Sequence, residues 1–275
     1  MKKNNYYCGK ITIIGKTNVG KSTLLNRLIK KKISIISYKS NTTQKNIKGI
    51  FTNKKHQFIY IDTPGCIYKK NFFYLKENIN ISDIIIFVIN KNIWKIEDDN
   101  ILQKIKKTKK PIILVINKID CIKNKNILLP YINFIKNKFL FYSIIPISSK
   151  TGENINILHK IIKKILPKKK HIYTNNIITN YSDKKIIKEI IREKFINILN
   201  NELPYSIKIK LDYFKKKKIF YIIKIIILVK NIRHKKIIIG KKGKIIKKCN
   251  ILARKDLEKF FNKKVHLFMW IKYKF

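Results

Sequence analysis

Gly15-Lys16-Thr17-Asn18-Val19-Gly20-Lys21-Ser22 sets four residues between two glycines and ends on Lys-Ser. This is the GxxxxGK[ST] spacing that holds phosphate. The glycines let the backbone turn so that its amides face an anion, and a helix opening at Ser22 adds its positive end. Lys21 is placed to reach the β- and γ-phosphates, and the Ser22 hydroxyl to complete a magnesium shell. Lys16, Thr17, Asn18, Val19 and Thr23 complete the cradle. Lysine is abundant throughout the chain, so the reading rests on spacing and on the apolar run at 11–14 that precedes the loop.

Further turns follow apolar runs in the same way. Asp62-Thr63-Pro64-Gly65 follows 58–61. Asp62 can hold magnesium, usually through water, and the Gly65 amide can meet the γ-phosphate. Asn117-Lys118-Ile119-Asp120 follows 112–116. A carboxylate at Asp120 can accept both N1–H and the exocyclic amine of guanine, a donor pair that adenine lacks. Asn117 can brace the loop or touch N7, and the Lys118 stem can cover the ring. Ser148-Ser149-Lys150 follows 143–147, where the Ser149 amide can reach guanine O6. In the polar stretch 37–44, Thr42 and Thr43 are both candidates to close over magnesium and γ-phosphate. The catalytic set is thus Lys21, Thr42, Thr43, Asp62 and Gly65, with Ser22, Thr42, Thr43 and Asp62 around Mg2+. Cys66 stands where many GTPases carry a water-orienting Gln, so slow intrinsic hydrolysis is expected. The Asn18 side chain suggests a monovalent cation such as K+ near the β/γ bridge.

These turns need a scaffold. The runs ITIIG, FIYID, DIIIFVIN, PIILVINKID and YSIIPISS are continuously apolar, as buried parallel strands are. Helical patterns at 22–31, 96–107, 124–138 and 153–165 alternate with them. The order predicts an α/β doubly wound, mostly parallel sheet in a P-loop NTPase G domain, with ligands outside the carboxyl ends of its strands. The expected division is a G domain over 1–166, a polar Asn-rich linker over 167–181 and a second domain over 182–275.

That second domain reads as helix 183–200, strands 206–213 and 219–229, a short helix or turn, Gly240-Lys241-Lys242-Gly243, helix 244–261 and strand 265–273. A GxxG between helices in an α-β-β-α-α-β order fits a small α+β type II KH domain, an RNA-binding module. Gly240 and Gly243 permit close backbone approach, and Lys241, Lys242 and Lys244 meet phosphates. Lys247 and Arg254 on the next helix can extend the groove. Ile238, Ile239 and Ile245 are candidates either for a groove floor or for core.

The chain has 275 residues, 45% of them hydrophobic, and a net charge of +49 from 64 basic and 15 acidic residues. Such a balance favours a polyanionic partner. Ile, Lys and Asn dominate even helix surfaces, so part of the excess reflects an A/T-biased codon usage. Cys8, Cys66, Cys121 and Cys249 form no CxxC pair and read as free thiols in a reducing compartment. The N-terminus does not read as a signal peptide, and the most apolar run, 219–229, is broken by Lys224 and too short to span a bilayer. A cytoplasmic monomer is expected.

With both halves in view, the chain resembles the Era family of bacterial GTPases over nearly its whole length. The resemblance rests on GKTNVGKSTLLNRL, TTQKNIKGI, DTPG, NKID and SSKTGENI, then on IIKEIIREKFINILNNELPYSIKI, IIIGKKGKIIK, LARKDLEKFF and VHLFMWIKYK. It implies GTP-controlled binding of small-subunit (16S) ribosomal RNA near its 3′ end during assembly of the small ribosomal subunit, with GTP and GDP as ligands. For some members it also implies peripheral association with the inner face of the cell membrane. Asn90, Cys66 and a linker that keeps Tyr173 but lacks the family's acidic, Asp-containing stretch depart from the family pattern. Two other readings compete: a passive rRNA-binding assembly factor that barely turns over GTP, and a protein held by its charge on anionic lipid.

Overall fold

The structure is a computed structural model, and it describes residues 5–34, 47–63, 69–199 and 207–273. It divides into two compact units that meet in sequence at Asn180 and Tyr181.

The first unit is built on a six-stranded sheet of order β2-β3-β1-β4-β5-β6. Its strands are β1 (Tyr7–Ile14), β2 (Ile47–Asn53), β3 (His56–Asp62), β4 (Ile84–Asn90), β5 (Ile112–Asn117) and β6 (Ser143–Pro146). Only β2 runs antiparallel, paired with β3. The five predicted runs all form strands; β1, β3, β4 and β5 are central, bury both faces and so read as near-continuous apolar runs, while β6 lies at the far edge with Ile145 buried. In β4, Ile84 through Ile89 are all buried. β2 escapes that signal. It carries Lys48, Gly49 and Asn53 and lies at the sheet edge, where one side is wet.

The helices α1 (Lys21–Ile29), α2 (Lys69–Ile81), α3 (Ile96–Ile105) and α4 (Leu128–Lys136) lie between these strands, and α5 (Ile155–Ile165) follows β6. The region expected to be helical from residue 124 opens as a 3-10 turn over Lys125–Ile127, capped by the Asn124 side chain. Pro130 falls in the first turn of α4, where its missing N–H has no helical partner to lose. The polar passage after Pro167 lies along the first unit. Gln57 Oε1 accepts the amides of Ile172 and Tyr173, and Ile50 donates to the Ile178 carbonyl.

The second unit holds α6 (Asp183–Ile198), α7 (Ile232–Ile239) and α8 (Lys244–Phe261) with the sheet β7 (Lys208–Lys216), β8 (Phe220–Val229) and β9 (Lys264–Tyr273). β8 is central, antiparallel to β7 and parallel to β9. The helices cover one sheet face. Ile187, Ile191 and Phe195 of α6 and Cys249, Ala253 and Leu257 of α8 pack there with Ile223, Ile225 and Ile227. Lys194 of α6 is ion-paired with Asp256 of α8, so this buried lysine carries its own counter-charge.

Candidate nucleotide site and basic loop

The chain order reverses beside β1, where an open α/β sheet offers a crevice at its carboxyl end. The loop after β1 enters that crevice. Gly15 and Gly20 adopt φ +150° and +97°, and a Cβ at either would lie 2.3 Å from Val88 O or Asn117 Nδ2. Glycine is therefore required twice, by conformation and by space. Lys21 opens α1, is buried, and donates from Nζ to the carbonyls of Gly15 (3.0 Å) and Lys16 (2.5 Å). Its ammonium is thus held across the mouth of the loop. Thr17 and Thr23 are half-buried and Asn18 is exposed at φ +61°.

Ser22 Oγ donates to Asp62 Oδ2 at 2.7 Å, and Ser34 Oγ donates to the same oxygen at 3.0 Å. Asp62 is fully buried, and burial pushes its carboxyl up despite Lys21, Ser22 and Ser34. Asp62 Oδ1 has no hydrogen-bond partner. A buried carboxylate oxygen left orphaned beside a serine hydroxyl is a fitting seat for a hard, oxygen-seeking cation. Thr63, expected at the nucleotide, spends its hydroxyl on Ile13 O at 2.9 Å and ties β3 to β1.

Asn117 ties the loops together. Its Nδ2 donates to Val19 O at 2.7 Å, and its Oδ1 accepts the Ser149 amide at 3.0 Å. Of the alternatives open in the sequence, the bracing one is observed. The Ser149 amide, expected to face guanine O6, is engaged by Asn117; Ser149 Oγ is buried without a hydrogen-bond partner. Lys118 sits at φ +65° and donates from Nζ to Asn18 O at 2.6 Å, so its stem runs between the two loops. Asp120 is exposed, accepts the Ser148 hydroxyl at 2.6 Å, and is held below the usual carboxylate range chiefly by that bond. It is a ready ionised acceptor at neutral pH.

Other residues of the site had no motif to announce them. Arg27 of α1 donates from Nε to Ser149 O at 3.1 Å and from Nη2 to Lys150 O. Asn26 accepts the amides of Ile33 and Ser34 at 2.8 and 2.9 Å, fixing the chain that leaves α1. Lys16 Nζ pairs with buried Asp98 at 2.5 Å, so it contributes its backbone, not its charge, to the loop. The consecutive Asn26 and Arg27 lie in the run GKTNVGKSTLLNRL, but their partners are visible only in the fold. Thr42, Thr43, Pro64, Gly65 and Cys66 lie outside the described residues.

In the second unit, Lys241, Lys242 and Gly243 make a 3-10 turn between α7 and α8. Gly240 at φ +71° has no room for a Cβ, which would meet Ile245 Cγ1 at 2.7 Å. Gly243 at φ +74° caps α8. Lys241, Lys242, Lys244, Lys247 and Arg254 are all exposed. Lys247 and Arg254 stand seven residues apart, on one face of α8, with the 48%-exposed Ile251 between them. Ile238 is completely buried and belongs to the core, while Ile239 and Ile245 are half-buried beside the turn. Among the described residues Cys8, Cys121 and Cys249 are free thiols, and no helix is long and apolar enough to cross a membrane.

A P-loop sheet with a guanine-type acceptor loop, followed by a GxxG α+β unit, defines a G domain joined to a KH domain. Residues 10–118 match the family described as 50S ribosome-binding GTPase, and residues 202–274 match the KH domain. The chain is 51% identical to the GTPase Era of Buchnera aphidicola subsp. Acyrthosiphon pisum (strain APS), covering 99% of both chains. It is 43% identical to the GTPase Era of Haemophilus ducreyi, over 98% of this chain and 91% of that one. A variant of Aquifex aeolicus Era bound to GDP.AlF4- superposes with TM-score 0.88 at 36% identity, covering 98% of this chain and 94% of the other. Era in complex with MgGDPNP and nucleotides 1506-1542 of 16S ribosomal RNA gives TM-score 0.87 at 36% identity and the same coverage. The chain belongs to the Era family of GTPases.

Proposed function

We propose that this chain binds and hydrolyses GTP at the carboxyl end of its large sheet, and that the nucleotide state sets the grip of its KH domain on small-subunit ribosomal RNA. The observation that carries the reading is the cross-bracing of the P-loop to the NKID and SSK loops through Asn117, with orphaned Asp62 Oδ1 beside Ser22. Bound Mg2+ would neutralise charge on the β- and γ-phosphates. Ser22 and Asp62 would hold it. Lys21, whose Nζ lies against the carbonyls of Gly15 and Lys16, would offer its donors to the phosphates, while the amides opened by Gly15 and Gly20 cradle them. Asp120 accepts the two guanine donors, Ser148 fixes its orientation, and the Lys118 stem lies along the base. Phosphoryl transfer to water depends on positioning and charge, which these residues supply without a covalent step.

The Era complex with nucleotides 1506-1542 of 16S ribosomal RNA supports the same partner for the Lys241-Lys242 turn. We also propose K+ near Asn18, and a monomer in solution. Equal rates in sodium and potassium buffers would remove the potassium assignment.

The test is base exchange. Asp120→Asn is expected to weaken GTP binding at least tenfold and to improve xanthosine triphosphate binding, because an amide can donate to the xanthine C2 oxygen. An unchanged base preference in calorimetric titrations refutes the guanine assignment. Loss of phosphate release in Lys21→Ala, with release in the parent protein, separates a turning-over GTPase from a passive binder.

A further inference from the structure

The helices of the second unit cover one face of its sheet; the other face carries a pattern that the GKKG turn does not use. β9 alternates strictly. Val265 and Leu267 point to the core, while Lys264, His266, Phe268, Trp270 and Lys272 are exposed. The register puts Lys224 beside Phe268 and Ile226 beside Trp270 on that open face. Antiparallel pairing adds Tyr213 opposite Lys224 after the bulge, with Lys208, Lys210 and Lys215 on the same side.

Phe268 and Trp270 lie with ring centroids 6.1 Å apart and planes only 16° from parallel. They are 47% and 44% exposed, and Tyr213 is 41% exposed under the Lys224 ammonium at 5.3 Å. Large aromatic rings left half in water on a folded sheet call for a partner. Lysines border both edges, Lys208, Lys210 and Lys215 on β7 and Lys264 and Lys272 on β9. The carboxylate on these strands is Asp212, at the bulge where pairing is interrupted.

We propose that this open sheet face is a second contact surface for single-stranded nucleic acid, with Phe268 and Trp270 as its stacking platform and the edge lysines as its phosphate rim. Alternate residues of a strand repeat at roughly 6–7 Å, a pitch that seats one splayed base per ring. Stacking of this kind accepts every base, and the rim makes it salt-dependent. A lipid surface is the lesser fit, because the exposed rings repeat along one strand with lysines at both edges, as stacked bases and their phosphates would require. The proposal goes beyond the turn reading, since it uses the opposite side of the sheet from α7 and α8.

The chain has two tryptophans, so full-length Trp94→Phe leaves Trp270 as the sole reporter. Titration with oligouridylate of about 30 nucleotides is expected to quench Trp270. The double change Phe268→Ala, Trp270→Ala is expected to weaken binding about tenfold, while Phe268→Tyr retains it. If the double variant fails to fold, Lys210→Glu with Lys272→Glu reads the rim instead, through a several-fold loss and a shallower salt dependence. Parent-level affinity in the folded double variant, or no quenching of Trp270 in the Trp94→Phe protein, overturns the proposal. So does quenching by phosphatidylglycerol–phosphatidylcholine vesicles but not by oligouridylate, which assigns the face to lipid. Changing Lys241 and Lys242 to Asp must leave the quench in place; its disappearance would mean the sheet makes no independent contact. If that loop variant keeps full affinity while the sheet variant loses it, the turn reading fails and this one stands.

Discussion

The nucleotide cradle and the GKKG turn are both proposed as phosphate sites, and they are built by opposite means. The cradle is dry and cross-linked. Lys21, Asp62, Asn117, Ser148 and Ser149 are buried, and each is tied by hydrogen bonds to another part of the site. The turn is wet. Lys241 and Lys242 stand in solvent, and its shape comes from two glycines and one tight approach to Ile245. Buried polar networks are costly when half-satisfied, so they fix one geometry and can discriminate one base from another. Exposed lysines fix little and suit a partner recognised by charge. Single substitutions should therefore cripple the cradle and only weaken the turn.

The largest break expected is Lys21→Ala. It removes the ammonium held over the phosphate loop. We expect the rate of phosphate release to fall on the order of 10²–10³-fold. A fall under threefold in single-turnover assays would mean Lys21 is a structural pin.

Asn117→Ala follows. It strands the Val19 carbonyl and the Ser149 amide in a buried site. Each orphan costs about 1–3 kcal/mol, so the first unit should melt earlier and guanine nucleotide affinity should drop together. Asp120→Asn is the contrasting change: Asp120 is exposed, so base preference should move with little change in melting. If Asn117→Ala shifts affinity but not melting temperature, the bracing carries less than its geometry suggests.

The motifs are legible in the sequence because phosphate and guanine dictate residue type and spacing within a few positions. The braces are not, because they join residues remote in sequence. Lys16 meets Asp98 across 82 residues and Arg27 meets Ser149 across 122. The engagement of the Ser149 amide is hidden for the same reason, since its partner Asn117 comes from another loop. In the fold, buried parallel strands announce themselves, while β2 is hidden by edge polarity and α2 (KKNFFYLKENINI) by adjacent aromatics and asparagines that blur a helical period. The Asn-rich passage after Pro167 gives no sign that Gln57 captures its backbone.

For the turn, Lys241→Asp with Lys242→Asp should lower RNA affinity roughly tenfold to a hundredfold and make the salt dependence shallower by about two in log–log slope. GTP binding and both melting transitions should stay as they are. Gly240→Ala is the sharper probe of shape, because its Cβ would press on Ile245 at 2.7 Å. If the charge change leaves RNA binding intact and Gly240→Ala abolishes it, the turn recognises by contour, and the contrast with the cradle narrows.

The smallest expected effect is a difference in acid response. His159 is packed against Phe51, Phe58 and Tyr60, and burial lowers its pKa, with Lys30 adding in the same direction. His56 is lowered as well, again chiefly by burial. The unfolded chain takes up these protons at about pH 6.5. The folded first unit refuses them, so their contribution is complete above that pH and is lost as pH falls through the lower folded value. In the second unit Glu189 is pushed the other way, raised by burial in spite of Arg192 and Lys185. A raised carboxyl contributes stability below its unfolded value and loses it as pH rises through its folded one. Melting the full chain at pH 7.5 and 5.5 should therefore move the first unit's transition down at the lower pH and leave the second unit's no lower. His159→Phe keeps an aromatic ring in that cluster and should flatten the first unit's response; an unchanged response in that variant would place the acid-labile group elsewhere in the G domain.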